Sequence, residues 1–216
     1  MNVNTATMNI DASNRHRLIN NANSLVNHVH QQITLEPTSI AVLTESQRYT
    51  GEKVCLQFQE EWYTDHAQLS SSSKDYACIL WNGEMYSHIE SYHSNIGKYA
   101  AVHLEHADGH NILTVAVHHP HKKGKENARR LTSQFIEEMR DKVGTDTEII
   151  TGDFNCQPHQ LNHWIPDGLN FAFHDNSCPT TDTRTPDNTL FSDSLFAEVS
   201  YSVSSHFTHK PHYVQL

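Results

Sequence analysis

The chain has 216 residues, a net charge of −10 with histidines neutral, 37% hydrophobic residues and 19% charged ones. That length suits a single domain spanning 1–216 with a sizeable core rather than two domains, and no apolar run approaches the length of a membrane span. The acidic balance argues against a broad nucleic-acid-binding face, whose phosphate contacts come from Lys and Arg, although the 18 histidines would reverse the field if protonated.

Only a few polar residues precede the first strand-like segment, which leaves no room for a secretory signal. A cytoplasmic protein, or one exported by a non-classical route, is expected, and a monomer. The four cysteines (Cys55, Cys78, Cys156, Cys178) have no CxxC spacing, so a structural zinc site is not expected. Thiols are the expected state without a secretory signal; in an oxidising compartment Cys156 and Cys178 could pair, since they flank one loop.

Thr5 to Ile10 reads as a first short strand ending near Asn9. Leu18, Ala22, Leu25, Val29 and Ile33 then recur at helical spacing, with Asp11 or Ser13 as cap and Pro37 as the stop. Ser39 to Leu43 is a compact buried strand that ends on Thr44-Glu45. Val54 to Phe58 alternates apolar and polar, which predicts a half-exposed strand. Ser70 to Ser73 reads as a loop, and 77–81 and 99–104 as strands.

Asn111 to Val117 is another strand, running into His118-His119-Pro120-His121, where Pro120 fixes the turn. Between Lys122 and Arg130 five cations (Lys122, Lys123, Lys125, Arg129, Arg130) face only Glu126, which reads equally as a solvated helix start or as a local phosphate-attracting patch. The helix that follows places Ala128, Leu131, Phe135 and Met139 on one face. Glu148 to Thr151 then reads as a strand that ends at Gly152 and delivers Asp153 and Asn155 onto its terminal turn. Residues two apart in an extended segment point the same way, so carboxylate and carboxamide reach one site. A polar turn after a buried strand would use the same residue types, and the rest of the chain has to decide.

A loop-rich stretch with Trp164 follows; Asp187 to Ser192 reads as a strand starting on a carboxylate, and the chain closes with Phe207 to Pro211 and a final strand, His212 to Leu216. There is no internal repeat and no clean βαβ series, a pattern that suggests sheets packed on each other with helices outside.

Asn9, Glu45, Asp75, His118, Asp153, Asn155, Asp187 and His209 all fall at such strand ends. Phosphodiester hydrolysis needs this inventory: carboxylates to seat a divalent cation, histidine–carboxylate pairs to move protons, and amide donors for the growing charge on phosphorus oxygens.

Gly152-Asp153-Phe154-Asn155 resembles the signature of the endonuclease/exonuclease/phosphatase superfamily, and the flanking motifs resemble its deoxyribonuclease I branch along nearly the whole chain. Thr7-Met8-Asn9-Ile10 resembles the opening strand whose Asn approaches metal and phosphate, and Ile40 to Glu45 the strand that delivers the metal-binding Glu. Lys74-Asp75-Tyr76 resembles the segment carrying the acid that orients the first catalytic histidine, borne here by Val115-Ala116-Val117-His118. Thr180 to Leu190 resembles the segment with the second orienting acid, Asp187, and Phe207-Thr208-His209-Lys210-Pro211 the terminal Ser-Asp-His-x-Pro motif.

The resemblance implies a four-layer α/β/β/α sandwich and a Mg²⁺- (or Mn²⁺-) dependent phosphodiesterase, a DNA endonuclease first of all. It implies that Glu45, Asn9 and Asp153 surround the metal and that His118 with Asp75 and His209 with Asp187 share acid–base work. Asp153 and Asn155 would position water and phosphate, and Asn9, Asn155, Lys122 and Lys123 would hold substrate. Thr208 stands where the family has Asp, which should weaken a second metal position, and the arginine that often follows the metal-binding Glu is not in register, although Gln47 and Arg48 are near. Rival expectations are a phosphoesterase acting on lipid-headgroup or nucleotide esters and a catalytically weakened binding module on the same scaffold.

Overall fold

The computed structural model describes residues 3–10, 26–34, 38–46, 54–55, 61–68, 76–94, 99–120, 124–145, 147–161, 165–172, 181, 187–195, 197–201 and 211–216. Twelve strands are formed among them: β1 (Asn4–Asn9), β2 (Ile40–Ser46), β3 (Trp62–Gln68), β4 (Tyr76–Asn82), β5 (Tyr86–Ser94), β6 (Tyr99–His106), β7 (Asn111–His118), β8 (Thr147–Asp153), β9 (Leu169–Phe171), β10 (Asp187–Ser192), β11 (Glu198–Tyr201) and β12 (His212–Gln215). They build two six-stranded sheets, in the orders β11-β12-β1-β2-β4-β3 and β5-β6-β7-β8-β10-β9. Pairing is antiparallel except at β1–β2 and β7–β8.

Period-two alternation sorts the side chains into three apolar layers. Ile40 and Val42 of β2, Ile79 and Trp81 of β4, Val102 and Leu104 of β6 and Ile149 of β8 meet between the sheets. Ala6, Met8, Leu43 and Leu80 point to the far side of the first sheet and are covered by Val26, Val29 and Ile33 of helix α1 (26–34). Leu113, Val115, Val117 and Ile150 point to the far side of the second, under Phe135, Ile136 and Met139 of α2 (Lys125–Val143). The result is the four-layer α/β/β/α sandwich. A four-residue helix, α3 (Pro158–Leu161), follows the central strand.

Residues 54–55 are helical, which corrects the strand predicted from Val54. Val54 is fully buried in the cluster beneath α1, and a short apolar run cannot be told from a helix segment by periodicity alone. Strands β3, β5, β9 and β11 carry no sequence prediction. β5 (YSHIESYHS) is polar, largely exposed and at a sheet edge, so it lacks the alternation that marks a half-buried strand. Cys55, Cys78 and Cys156 are thiols, and the suggested partner Cys178 lies outside the described residues. No helix among those residues is long and apolar enough to cross a membrane.

Candidate active site

Register brings the polar strand ends together. In the second sheet the parallel β7–β8 pairing sets His118 opposite Asp153, and the antiparallel β8–β10 pairing sets Asp187 opposite the same residue. In the first sheet β1 ends with Asn9 opposite Thr44 of β2, beside Glu45. Both groups lie at one end of the sandwich, facing each other across the interior.

Glu45 reaches that interior through an irregularity. Strict alternation would put it on the same face as Leu43, which packs beneath α1. Instead the β2–β4 register shifts between Leu43 and Ser46, and Glu45 adopts a positive φ of 52°. A bulge of this kind re-aims a side chain, and left-handed backbone at a non-glycine residue marks strain of the sort that clusters at functional sites. Asn155 has the same property, with φ 49°.

Asn9 Nδ2 donates across the sheets to Asp153 Oδ2 at 3.1 Å and lies 3.5 Å from Glu45 Oε1. His118 Nε2 is 3.4 Å from the same Glu45 oxygen. One ligand atom each from Glu45, His118 and Asp153 falls within 4.8 Å of the others, a grouping able to hold a metal ion. Asn9 and Asp153 are each 2% exposed, whereas the side chains of His118 and Glu45 are 13% and 25% exposed. The site therefore has a buried floor and an open rim.

The turn after β8 is held rigidly. Asp153 Oδ1 accepts from the Asn155 main-chain N–H at 2.8 Å, and Asn155 Nδ2 donates to the His119 carbonyl at 2.7 Å. The His119 N–H returns a hydrogen bond to the Asp153 carbonyl, 2.8 Å. The His119 ring is fully buried, edge-on to Phe154, with Nε2 3.0 Å from Thr132 Oγ1 of α2. Thr132 gives its own hydrogen to the Ala128 carbonyl, so His119 must be the donor between them. Sequence reasoning missed this residue: in a run of three histidines around a proline nothing marks which ring turns inward.

Of the predicted site residues, Asn9, Glu45, His118, Asp153, Asn155 and Asp187 gather at this one end. Asp75, Lys122, Lys123, Thr208 and His209 lie outside the described residues. Of the basic run, Arg129 and Arg130 have described side chains, and among the described residues only Arg129 is paired with an opposite charge. Arg129 is buried and paired with Glu126 at 2.8 Å, and Arg130 donates to Asn127 and Gln134 of its own helix.

Two mixed sheets back to back, helices on both outer faces and polar strand ends converging at one end define the endonuclease/exonuclease/phosphatase, or deoxyribonuclease I-like, fold. Among solved structures that share it is the endonuclease/exonuclease/phosphatase from Bacteroides vulgatus (TM-score 0.80, 17% identity, 100% of this chain and 98% of that one). TDP2 from D. rerio, complexed with a single-stranded DNA product, matches with a TM-score of 0.73 at 11% identity over 99% and 98% of the two chains. A Bacteroides thetaiotaomicron mannosyl-6-phosphatase matches at 0.74 and 13% identity over 99% of each. At these identities the likeness is one of fold. No protein-family model and no curated protein matches the sequence.

Proposed function

We propose that this protein is a divalent-metal-dependent phosphoester hydrolase that cleaves phosphodiesters, with DNA as the first candidate substrate. The observation that carries the reading is the convergence of Glu45, His118 and Asp153 from two different sheets onto one partly open spot. The donors suit a cation: two carboxylates, one almost wholly buried, with a carboxamide between them whose N–H groups relieve their repulsion. Glu45 and Asp153 would hold Mg²⁺ or Mn²⁺, with Asn9 setting the distance between them. Bound there, the ion would supply Lewis-acid polarisation of a phosphoryl oxygen.

The chain's own groups do the remainder. His118, whose side chain is 13% exposed with Nε2 3.4 Å from Glu45 Oε1, would take a proton from water or give one to a leaving oxygen, with Asp75 proposed as the acid that orients it. His209, with Asp187, is proposed as the second acid–base group. Asp153 and Asn155, locked to His119, would keep the attacking water and phosphate in line without reorganisation. Fold relatives include a protein crystallised with a single-stranded DNA product, which supports the choice of DNA.

A second reading keeps the chemistry and changes the substrate to a small phosphate ester, a lipid headgroup, nucleotide or sugar phosphate. The net charge of −10 favours it, and a mannosyl-6-phosphatase shares the fold. Thr208 in place of the family's Asp points the other way, to weakened catalysis on the same scaffold. Incubation of supercoiled plasmid with Mg²⁺ or Mn²⁺, with and without chelator from acidic to neutral pH, tests the first reading, and a panel of small phosphate esters tests the second. Metal-dependent nicking that disappears in His118→Ala is expected. Full activity in that variant, or no metal-dependent cleavage of any ester, would refute the assignment.

A further inference from the structure

One rung beneath the site lies a second row of buried polar side chains. Alternation places Thr7 behind Asn9 on β1, Thr151 behind Asp153 on β8 and Thr189 behind Asp187 on β10, all on the interior face. His212, fully buried at the start of β12, pairs in register with Thr7. Thr151 Oγ1 is the hub: 2.5 Å from Thr7 Oγ1 across the sheets, 2.6 Å from Thr189 Oγ1 and 3.1 Å from the Asn188 carbonyl. Thr189 Oγ1 is in turn 3.1 Å from His212 Nε2.

Counting protons gives this chain of contacts one direction. A hydroxyl has a single hydrogen and two lone pairs. The Asn188 carbonyl can only accept, so the Thr151 hydrogen goes there, and Thr7 and Thr189 must both donate to Thr151. The Thr189 hydrogen is thereby used, and Thr189 can only accept from the ring beside it. His212 must carry a proton on Nε2.

We infer that His212 is a positioning residue for the site: as an Nε2–H donor it closes a one-way hydrogen-bond chain through Thr189 and Thr151 that ties β12 and β1 of one sheet to β10 and β8 of the other. This rests on the proposed function. The chain sets the separation across which Asn9 and Glu45 face Asp153, and its members are linked, because loss of the His212 donor leaves a buried Thr189 lone pair with no N–H to accept from and removes the tie between β12 and β10. No sequence motif announces it, since threonines and a histidine on interior strand faces read as ordinary β-formers.

Two experiments test it. Nitrogen-resolved NMR of the wild-type histidine rings should show His212 protonated on Nε2, and a neutral ring protonated on Nδ1 alone would overturn the inference. In the second, His212→Leu removes the donor, whereas His212→Gln can still present an N–H from the same place. His212→Leu should lower kcat on plasmid DNA about tenfold or more with little change in KM, and weaken Mn²⁺ binding about fivefold, as expected of misplaced catalytic groups. The isosteric Thr151→Val should behave alike, with His212→Gln restored to near wild type. Equal losses in His212→Gln and His212→Leu would mean a packing role only and would overturn the inference. Should the wild type hydrolyse no phosphoester, the proposed function fails by itself. The ring tautomer and Mn²⁺ affinity then still decide: an unchanged Mn²⁺ affinity in His212→Leu would refute the positioning role.

Discussion

Gly152→Ala is the sharpest probe of how the site is held. Gly152 has φ +143°, and a Cβ built on it would lie 2.1 Å from the Val117 carbonyl oxygen and 3.0 Å from its carbon. The obstructing atoms are main chain, fixed by the β7–β8 register that pairs Val117 with Gly152 one step before His118 with Asp153. No rotamer change can relieve the contact, so the strands must part beside the site. Overpacking costs about 1–3 kcal/mol and a backbone region reserved for glycine about 1–3 more, giving a loss of about 2–6 kcal/mol against a total stability of about 5–15. Urea unfolding measures it, and Mn²⁺ titration should show weakened binding in the same variant. Gly109→Ala serves as control, since its φ is +90° but nothing lies within 4 Å of the added carbon; it should lose only the backbone cost of about 1–3 kcal/mol, without the overpacking. Equal losses in the two variants, or a loss below about 0.5 kcal/mol for Gly152→Ala, would refute the close approach of β7 and β8 on which the His118–Asp153 geometry rests.

Glu45→Gln and Asp153→Asn should each raise the Mn²⁺ dissociation constant at least about tenfold, or about 1.4 kcal/mol, by calorimetric titration. Arg140 grips Glu148 with both Nε and Nη2 at 2.7–3.0 Å, and Glu148 is only 6% exposed; Arg140→Met should cost about 3 kcal/mol, and the double change with Glu148→Leu should recover most of it. Burial pushes the Tyr86 hydroxyl up to about 12, against its hydrogen bond to Ser39. A raised folded pKa gives stability that is present below the unfolded value and lost as pH rises through the folded one. The stability difference between wild type and Tyr86→Phe should therefore shrink by about 1.4 kcal/mol from pH 9 to 11, and a flat difference would refute the burial argument.

Much of this molecule is readable along the chain. Short runs of apolar and β-favouring residues in Thr5–Ile10, Asn111–Val117 and Glu148–Thr151 mark strands, and the spacing of Ala128, Leu131, Phe135 and Met139 marks the inner face of a helix, because each depends on neighbours within a few residues. The position of Asn9, Glu45, His118, Asp153 and Asp187 at strand ends is local in the same sense. Their convergence is not. It depends on a parallel β7–β8 register, on a bulge that turns Glu45 away from the face Leu43 occupies, and on an inward His119 that locks Asn155. The edge strand β5 and the helical turn at 54–55 likewise take their form from what they pack against rather than from their own pattern. The Thr7–Thr151 contact joins positions 144 residues apart. Local spacing can specify which way a side chain faces within its own strand, but which strands stack, in what register and at what distance is settled only when the two sheets bury their interior faces against each other.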